Sequence, residues 1–359
     1  MKNLLAFAFI FFALFSCGEK KQKENVEKEK KDKSSPKAIR PATGAVGEVV
    51  VVIDTTVEAG KVGEALKNAL QRETPGIIRS EPEYKVHFIA PKQFNSVFKY
   101  SRNLIFVTTF DVDSEDSKEL QKNFNDKAFN EMKSNPDYYK IIRYNQFAKG
   151  QVLLQLFGVN QADLAKNINK HAQQIRDILN QEELNRIQKE KKFQPQITNL
   201  LKEKYGFSLQ VPYGYKVAKQ SDSLIWFREN VSPKEDKNIL VAYKPYVSKE
   251  QLSIDSIAAF RDEANRYVEG LDAKTFKVVQ TGVPVETREV NFENRYALES
   301  RGAWKLSNNS MGGSFISYAF VDETRQRLYY LETFIYGPDK KLREDLREME
   351  AILWTFKAD

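Results

Sequence analysis

Two aspartates stand one residue apart at the end of an apolar run. In LIFVTTFDVDSED, Leu104 to Asp116, Asp111 and Asp113 follow residues that read as a strand. Paired carboxylates at a strand end are the sharpest enzyme-like feature of the chain and could serve a metal-assisted hydrolase. No convincing further acidic pair follows, since the next strand ends in GVNQ, Gly158 to Gln161. A calcium loop fails too, because Asp116 stands where the sharp turn requires glycine and Lys122 where a bidentate glutamate is needed. The bland alternative is a solvated acidic loop leading into a helix. Two histidines complete the inventory of classical bases. His171 falls on the apolar stripe of a helix, where a hydrogen-bonded seam histidine is expected, and His87 lies inside a strand with no nucleophile paired to it in sequence. Neither a catalytic constellation nor a metal or cofactor site is expected from this set.

An anion site is the other chemistry that the residue types allow. Arg228, Arg261, Arg295 and Arg301 could converge on an anionic ligand, with Trp226 and Trp304 as stacking surfaces. The competing expectation pairs Arg261 with a nearby carboxylate and puts both tryptophans in the core. MGGSF, Met311 to Phe315, is glycine-rich but lacks the lysine of a phosphate cradle, so its glycines are expected to permit a bulge or close backbone approach.

The single cysteine, Cys17, follows a short positive start and an unbroken apolar run from Leu4 to Phe15. That run is about a dozen residues where a spanning helix needs roughly 20, and the layout is that of a secretion signal. The stretch resembles a bacterial lipoprotein signal, which implies a lipid on Cys17, no free thiol in the mature chain and no disulfide. The residues that follow, to about Pro41, are mostly Lys, Glu, Gln, Ser and Pro, too poor in apolar groups to fold alone. From Gly18 to Arg40 there are nine basic and five acidic residues, so this stretch supplies +4 of the formal +7. The remainder is nearly balanced, which makes nucleic acid a poor partner and a membrane, met through the lipid, the expected one.

The elements that must position these groups fall into two halves. Residues 1–16 are expected to be signal peptide, 17–43 the lipidated cysteine and tether, 44–192 an N-terminal α/β domain and 193–359 a C-terminal α+β domain. In the first, Val49 to Ile53, Tyr84 to Ala90 and Leu104 to Phe110 read as strands, and Ile141 to Phe147 with Val152 to Phe157 as a hairpin through Lys149-Gly150. Asn160 caps a long helix whose stripe is Leu164, Ile168, His171, Ile175 and Ile178. In the second, Pro195 opens a helix that closes at Gly206, strands follow from Phe207, and a last helix carries Leu342, Leu346, Met349, Leu353 and Phe356. The fold class expected is α+β in two domains, each a mainly antiparallel sheet packed with helices.

One resemblance covers nearly the whole mature chain. FSLQVPYGY (Phe207 to Tyr215), WFRE (Trp226 to Glu229), YKPY (Tyr243 to Tyr246), RGAW (Arg301 to Trp304), MGGSF and IYGP (Ile335 to Pro338), with RPATG (Arg40 to Gly44) as a start, together resemble an uncharacterised lipoprotein family of Bacteroidetes, the domain of unknown function 4837. The resemblance implies a cell-envelope lipoprotein, periplasmic or surface-facing, and brings no known activity. The strand and helix order of the second half also resembles Mog1 and PsbP-like domains, a likeness of fold alone. The Asp111/Asp113 stretch resembles the first motif of haloacid-dehalogenase-type phosphatases, which implies one aspartate as nucleophile and the second as acid, both near magnesium, with a lysine and a further acidic pair at other strand ends. The functional expectation is a non-enzymatic binding or scaffold module with an envelope protein or ligand as partner, and a metal-assisted hydrolase using Asp111 and Asp113 is the alternative.

Overall fold

Runs that are apolar on successive residues build the first sheet. The structure, a computed structural model, describes residues 39–270 and 274–358; Cys17, the signal-like segment and the charged stretch through residue 38 lie outside the described residues. The first half runs β1 (Glu48–Val52), α1 (Thr55–Glu58), α2 (Lys61–Leu70), β2 (Lys85–Ile89), β3 (Asn103–Thr109), α3 (Glu115–Gln121), α4 (Asp126–Ser134), β4 (Lys140–Tyr144), β5 (Val152–Gly158), α5 (Gln161–Lys170) and α6 (Ala172–Glu190). Its strands lie in the order β2-β1-β3-β5-β4.

This sheet departs from the expected antiparallel one. β1 is parallel to β2 and β3, β3 is parallel to β5, and the expected β4–β5 hairpin supplies the antiparallel pair. The reason is two-sided burial. Val49, Val51 and Ile53 pack toward α2, α5 and α6, while Val50 and Val52 pack with Leu120 of α3 and with Phe94 and Phe98. A strand covered on both faces belongs to a sheet whose crossovers carry helices, as a parallel arrangement requires.

The long helix expected from Asn160 is two helices. Asn160 accepts from the Asp163 backbone N–H as its cap, but the backbone leaves helical geometry at His171, where φ is −112° and ψ is 20°. The break lets α6 change course and serve both halves. Ile175 and Leu179 join the first core, whereas Leu184 and Ile187 pack with Ala351 and Trp354 of the second half.

The second half runs α7 (Pro195–Tyr205), β6 (Phe207–Ser208), β7 (Lys216–Gln220), β8 (Leu224–Ser232), β9 (Glu235–Pro245), α8 (Ile254–Asn265), β10 (Lys277–Val279), β11 (Glu286–Phe292), β12 (Arg295–Leu306), β13 (Gly312–Asp322), β14 (Arg327–Tyr336), α9 (Arg343–Leu353) and β15 (Lys357–Ala358). Pro195 stands at the first turn of α7 and Gly206 closes it at φ 73°, as expected. The strand expected over Phe207 to Val211 is shorter, a two-residue β6 paired with β15, and the last helix ends at Leu353, so Phe356 enters the core from beyond it. The large sheet is antiparallel throughout, in the order β10-β12-β13-β14-β9-β8-β7, with β11 also paired to β12. One face, carrying Ile225, Phe227, Tyr318 and Phe320, packs on α7 and α9. The opposite face, carrying Trp226, Trp304, Phe315 and Tyr330, packs on α8. The architecture is therefore α+β in two parts, as expected.

The segment between α2 and β2 joins the parts. Gly76, at φ +79°, lies so close to β12 that a Cβ on it would stand 2.6 Å from the Gly302 backbone nitrogen. The turn drives Ile77, a residue of the first half, into the core of the second. In MGGSF the expected close backbone approach is present, since a Cβ on Gly313 would lie 1.8 Å from the Ile335 carbonyl oxygen.

An arginine-rich cleft as candidate functional site

Strand and helix periodicity bring charged side chains from both halves to one place. On β12, Glu299 and Arg301 share the face turned toward α9, and on β11 Glu286 and Arg288 alternate in register with Val290, which packs on the core of that same face. Arg343, Arg347 and Glu350 recur every three or four residues on α9, as do Gln173, Arg176, Asp177 and Asn180 on α6. With Arg72, Glu83 and Tyr84 from the joining segment they enclose a cleft of about 310 Å³.

Glu299 is the electrostatic centre. Arg288 grips it with both Nε (3.1 Å) and Nη2 (3.0 Å), and Arg301 donates from Nε at 2.6 Å. Burial alone would raise its carboxyl, but Arg301 and then Arg288 outweigh that and hold the pKa down at about 2. Arg301 also donates from Nη2 to Glu350 at 2.6 Å. The buried Tyr318 hydroxyl lies 2.6 Å from Glu350 and 3.2 Å from Glu299, and it receives the Trp354 indole N–H at 3.1 Å. Burial, with Glu299 and Glu350 close by, pushes the Tyr318 phenol well up, so it stays a neutral donor.

Two ion pairs tie the rim across the halves. Arg288 Nη1 reaches Asp177 Oδ1 at 3.0 Å, and Arg72, paired to Glu83 at 2.8 Å, reaches Glu286 at 3.1 Å. Arg347 differs from its neighbours. It is 7% exposed, donates to the Asn180 side-chain oxygen and the Glu83 carbonyl at 3.0 and 3.1 Å, and lies 4.8 Å over the Tyr84 ring. Among the described residues no carboxylate pairs with it.

The structure does not bring the four arginines singled out in the sequence together. Arg301 lines the cleft. Arg295 shares its sheet face but leans on Phe320, 5.9 Å from the ring centre, and donates to the Glu293 carbonyl. Arg228 is taken up by Asp236 at 2.8 Å. Arg261 belongs to α8 on the opposite face, 5.5 Å over the Phe315 ring, with Asp262 3.8 Å away. Trp226 and Trp304 are core residues on that opposite face, flanking Phe334, with their N–H groups bonded to Asn238 and to the Ile335 carbonyl. The arginines the sequence reading missed had a signal: Arg288 occupies an inward strand position, and Arg343 and Arg347 border the apolar stripe of α9.

Asp111 and Asp113 are occupied separately. Asp111 accepts from the Gln161 backbone N–H at 3.0 Å, at the start of α5, while the exposed Asp113 pairs with Lys118 at 2.9 Å. The carboxylate at the end of neighbouring β1, Asp54, accepts from the Thr56 backbone N–H at 2.7 Å and from the hydroxyls of Thr56, Ser114 and Ser117. Burial opposes its ionised form, but these donors hold its pKa at about 2. Among the described residues no group of three or more His, Cys, Asp and Glu is arranged to hold a metal ion. His171 stacks on Tyr139 at 4.8 Å with its Nε2 unpartnered, unlike the hydrogen-bonded histidine expected; burial, then Lys170 and Lys140, push its pKa down. His87, half-buried on β2, has Glu48 3.8 Å away.

No curated protein matches this chain. Among solved structures it is similar to a Mog1 E65A mutant, at 9% identity over 43% of this chain and 90% of that one, with a TM-score of 0.29. The Ran-binding protein Mog1p of Saccharomyces cerevisiae gives 8% identity, the same coverage and a TM-score of 0.29. A protein from Bacteroides thetaiotaomicron VPI-5482 gives 11% identity over 43% of this chain and 45% of that one, with a TM-score of 0.24. Models of two domains of unknown function match the chain, DUF8532 over residues 42–192 and DUF4837 over residues 194–355, so the likeness to DUF4837 expected over nearly the whole mature chain is found over the second half.

Proposed function

We propose that this chain is a non-enzymatic binding module of the bacterial cell envelope, held at a membrane by lipid on Cys17, with the arginine cleft as its ligand site. The observation that supports binding over catalysis is the state of the buried carboxylates. Glu299 is kept ionised by two arginines, and Glu350 is engaged by Arg301 and Tyr318, so neither is placed to exchange a proton with a substrate. Among the described residues no helix is long and apolar enough to cross a membrane. In this reading the membrane affinity resides in the acyl chains.

Metabolic labelling with palmitate tests the anchor. Wild type should incorporate label and sediment with membranes, and Cys17→Ala should do neither; an unlabelled wild type removes the lipoprotein from the proposal. For the cleft, thermal-shift screening of a metabolite library should yield ligands whose stabilisation disappears in Gln173→Trp, which fills the opening from α6. Calorimetric titration with magnesium or calcium is the opposing test. Binding heat that is lost in Asp111→Asn would replace the binding module by the metal-assisted hydrolase.

A further inference from the structure

Resting on the cleft as a ligand site, we propose that its ligand presents an oxyanion, a phosphate or carboxylate group, to the α9 end of the cleft, where Arg343 and Arg347 receive it. The lining charges do not balance. Six arginines face five carboxylates among the described lining residues. The five are already engaged: Glu83 and Glu286 by Arg72, Asp177 by Arg288, Glu299 by Arg288 and Arg301, Glu350 by Arg301. Arg176 shares Glu83 at 3.3 Å. The surplus positive charge therefore sits on α9.

There the local physics favours an anion three times over. Arg343 and Arg347 are one helical turn apart, a spacing at which like charges repel. Both belong to the first half of α9, where the helix dipole is positive. Both are more than nine-tenths buried, and Arg347 has no carboxylate partner among the described residues, which is costly for a buried guanidinium. Arg343 donates to Glu344 at 3.0 Å and to the Pro82 carbonyl at 3.1 Å, but Glu344 is exposed and not part of the cleft wall, and Glu81 beside it is taken up by backbone N–H groups of Leu342 and Arg343. Nε of Arg343 and Nη1 of Arg347 are buried without an acceptor but lie against Gly47, which is not part of the cleft wall, so they are not donors to a cleft ligand. What the cleft offers an anion is the charge of the two guanidinium groups, whose planar fork fits oxyanions. The helix terminus itself is not the site, because Glu81 already accepts from the Leu342 backbone N–H at 2.7 Å. A cation would find every wall carboxylate engaged. An apolar ligand could use Pro75, Leu346 and the Tyr84 ring but would leave the guanidinium groups as they are.

Calorimetry on the full chain in detergent tests this with inorganic phosphate and with citrate at low ionic strength. Saturable binding of at least one is expected, weakened tenfold or more in Arg347→Gln and in Arg343→Gln, less in Arg347→Lys, and weakened by added salt. A second arm floats the Cys17→Ala chain with vesicles of phosphatidylglycerol or phosphatidylcholine. Arginine-dependent binding to the anionic vesicles alone assigns the oxyanion to a lipid headgroup, and binding of phosphate or citrate without vesicle binding assigns it to a soluble ligand. Wild type that binds none of the three overturns the inference, whatever the variants do. So does binding that survives both glutamine substitutions. A neutral ligand excluded by Gln173→Trp would overturn the oxyanion while leaving the cleft as a binding site.

Discussion

Glu299 carries two opposing effects of similar size. Desolvation favours its neutral form, and two guanidinium groups in direct contact favour the ion; the contacts win, and the pKa falls from 4.5 to about 2. Asp54 reaches about 2 from 3.8 through hydroxyl and amide donors instead of charge. Because both folded-state values lie below the unfolded ones, each group binds protons more readily when unfolded. Their contribution is therefore fully present above about pH 4.5 and is lost as the pH falls toward 2, at a rate set by the proton uptake on unfolding. The shifts correspond to about 3 kcal/mol for Glu299 and about 2 kcal/mol for Asp54 over that window. Urea midpoints measured between pH 2.5 and 7 should fall on the acid side, and Glu299→Gln should flatten that fall while lowering stability at neutral pH, where Arg301 and Arg288 lose their shared partner. An unchanged acid slope in the variant would mean that Glu299 titrates normally in the folded chain.

At the scale of elements, the segment between α2 and β2 does more than connect. Gly76 permits the close approach to β12, and the approach buries Ile77 in a core that otherwise belongs to residues from Ile197 onward. Ile77→Ala should cost about 2 to 4 kcal/mol, as truncation of a buried aliphatic side chain does. Denaturant unfolding checks it, and a loss under about 0.5 kcal/mol would show the plug to be ornamental. Such an element is hard to see in sequence, because Pro75-Gly76 reads as a turn and nothing local says what the turn touches. Features with local causes were legible: Pro195 and Gly206 bracket α7, Asn160 caps α5, and the four-and-three spacing of Leu342, Leu346, Met349 and Leu353 marks α9. The parallel sense of the first sheet was also written locally, in a run of aliphatic residues from Val49 to Ile53 too continuous for a strand with one wet face. The cleft was not, since it joins Arg72 to Glu286 across 214 positions and places Arg301 and Arg261 on opposite faces of one sheet. Charge type could nominate arginines. Only the pairing of strands could say which of them meet.

For the whole molecule, the question is whether two domains unfold as one. The rim pairs Arg72–Glu286 and Arg288–Asp177 are exposed, and each is worth less than about 1 kcal/mol, so they do not decide it. The buried joints do: α6 contributes Leu184 and Ile187 to a cluster with Ala351, Ile77 enters the second core, and Arg347 bonds to Asn180 and the Glu83 carbonyl. Breaking the halves apart would expose these together, which couples their stabilities more strongly than a flexible junction would. The chain offers a direct readout, because all three tryptophans, Trp226, Trp304 and Trp354, belong to the second half, whereas α1 to α6 belong to the first. Tryptophan fluorescence then follows one half and far-ultraviolet circular dichroism both. The two urea curves should coincide in wild type and separate in Leu184→Glu, which puts a charge into the shared cluster. Curves that already separate in wild type would mean that the halves are stable independently, and that the arginine cleft between them is free to open without either half unfolding.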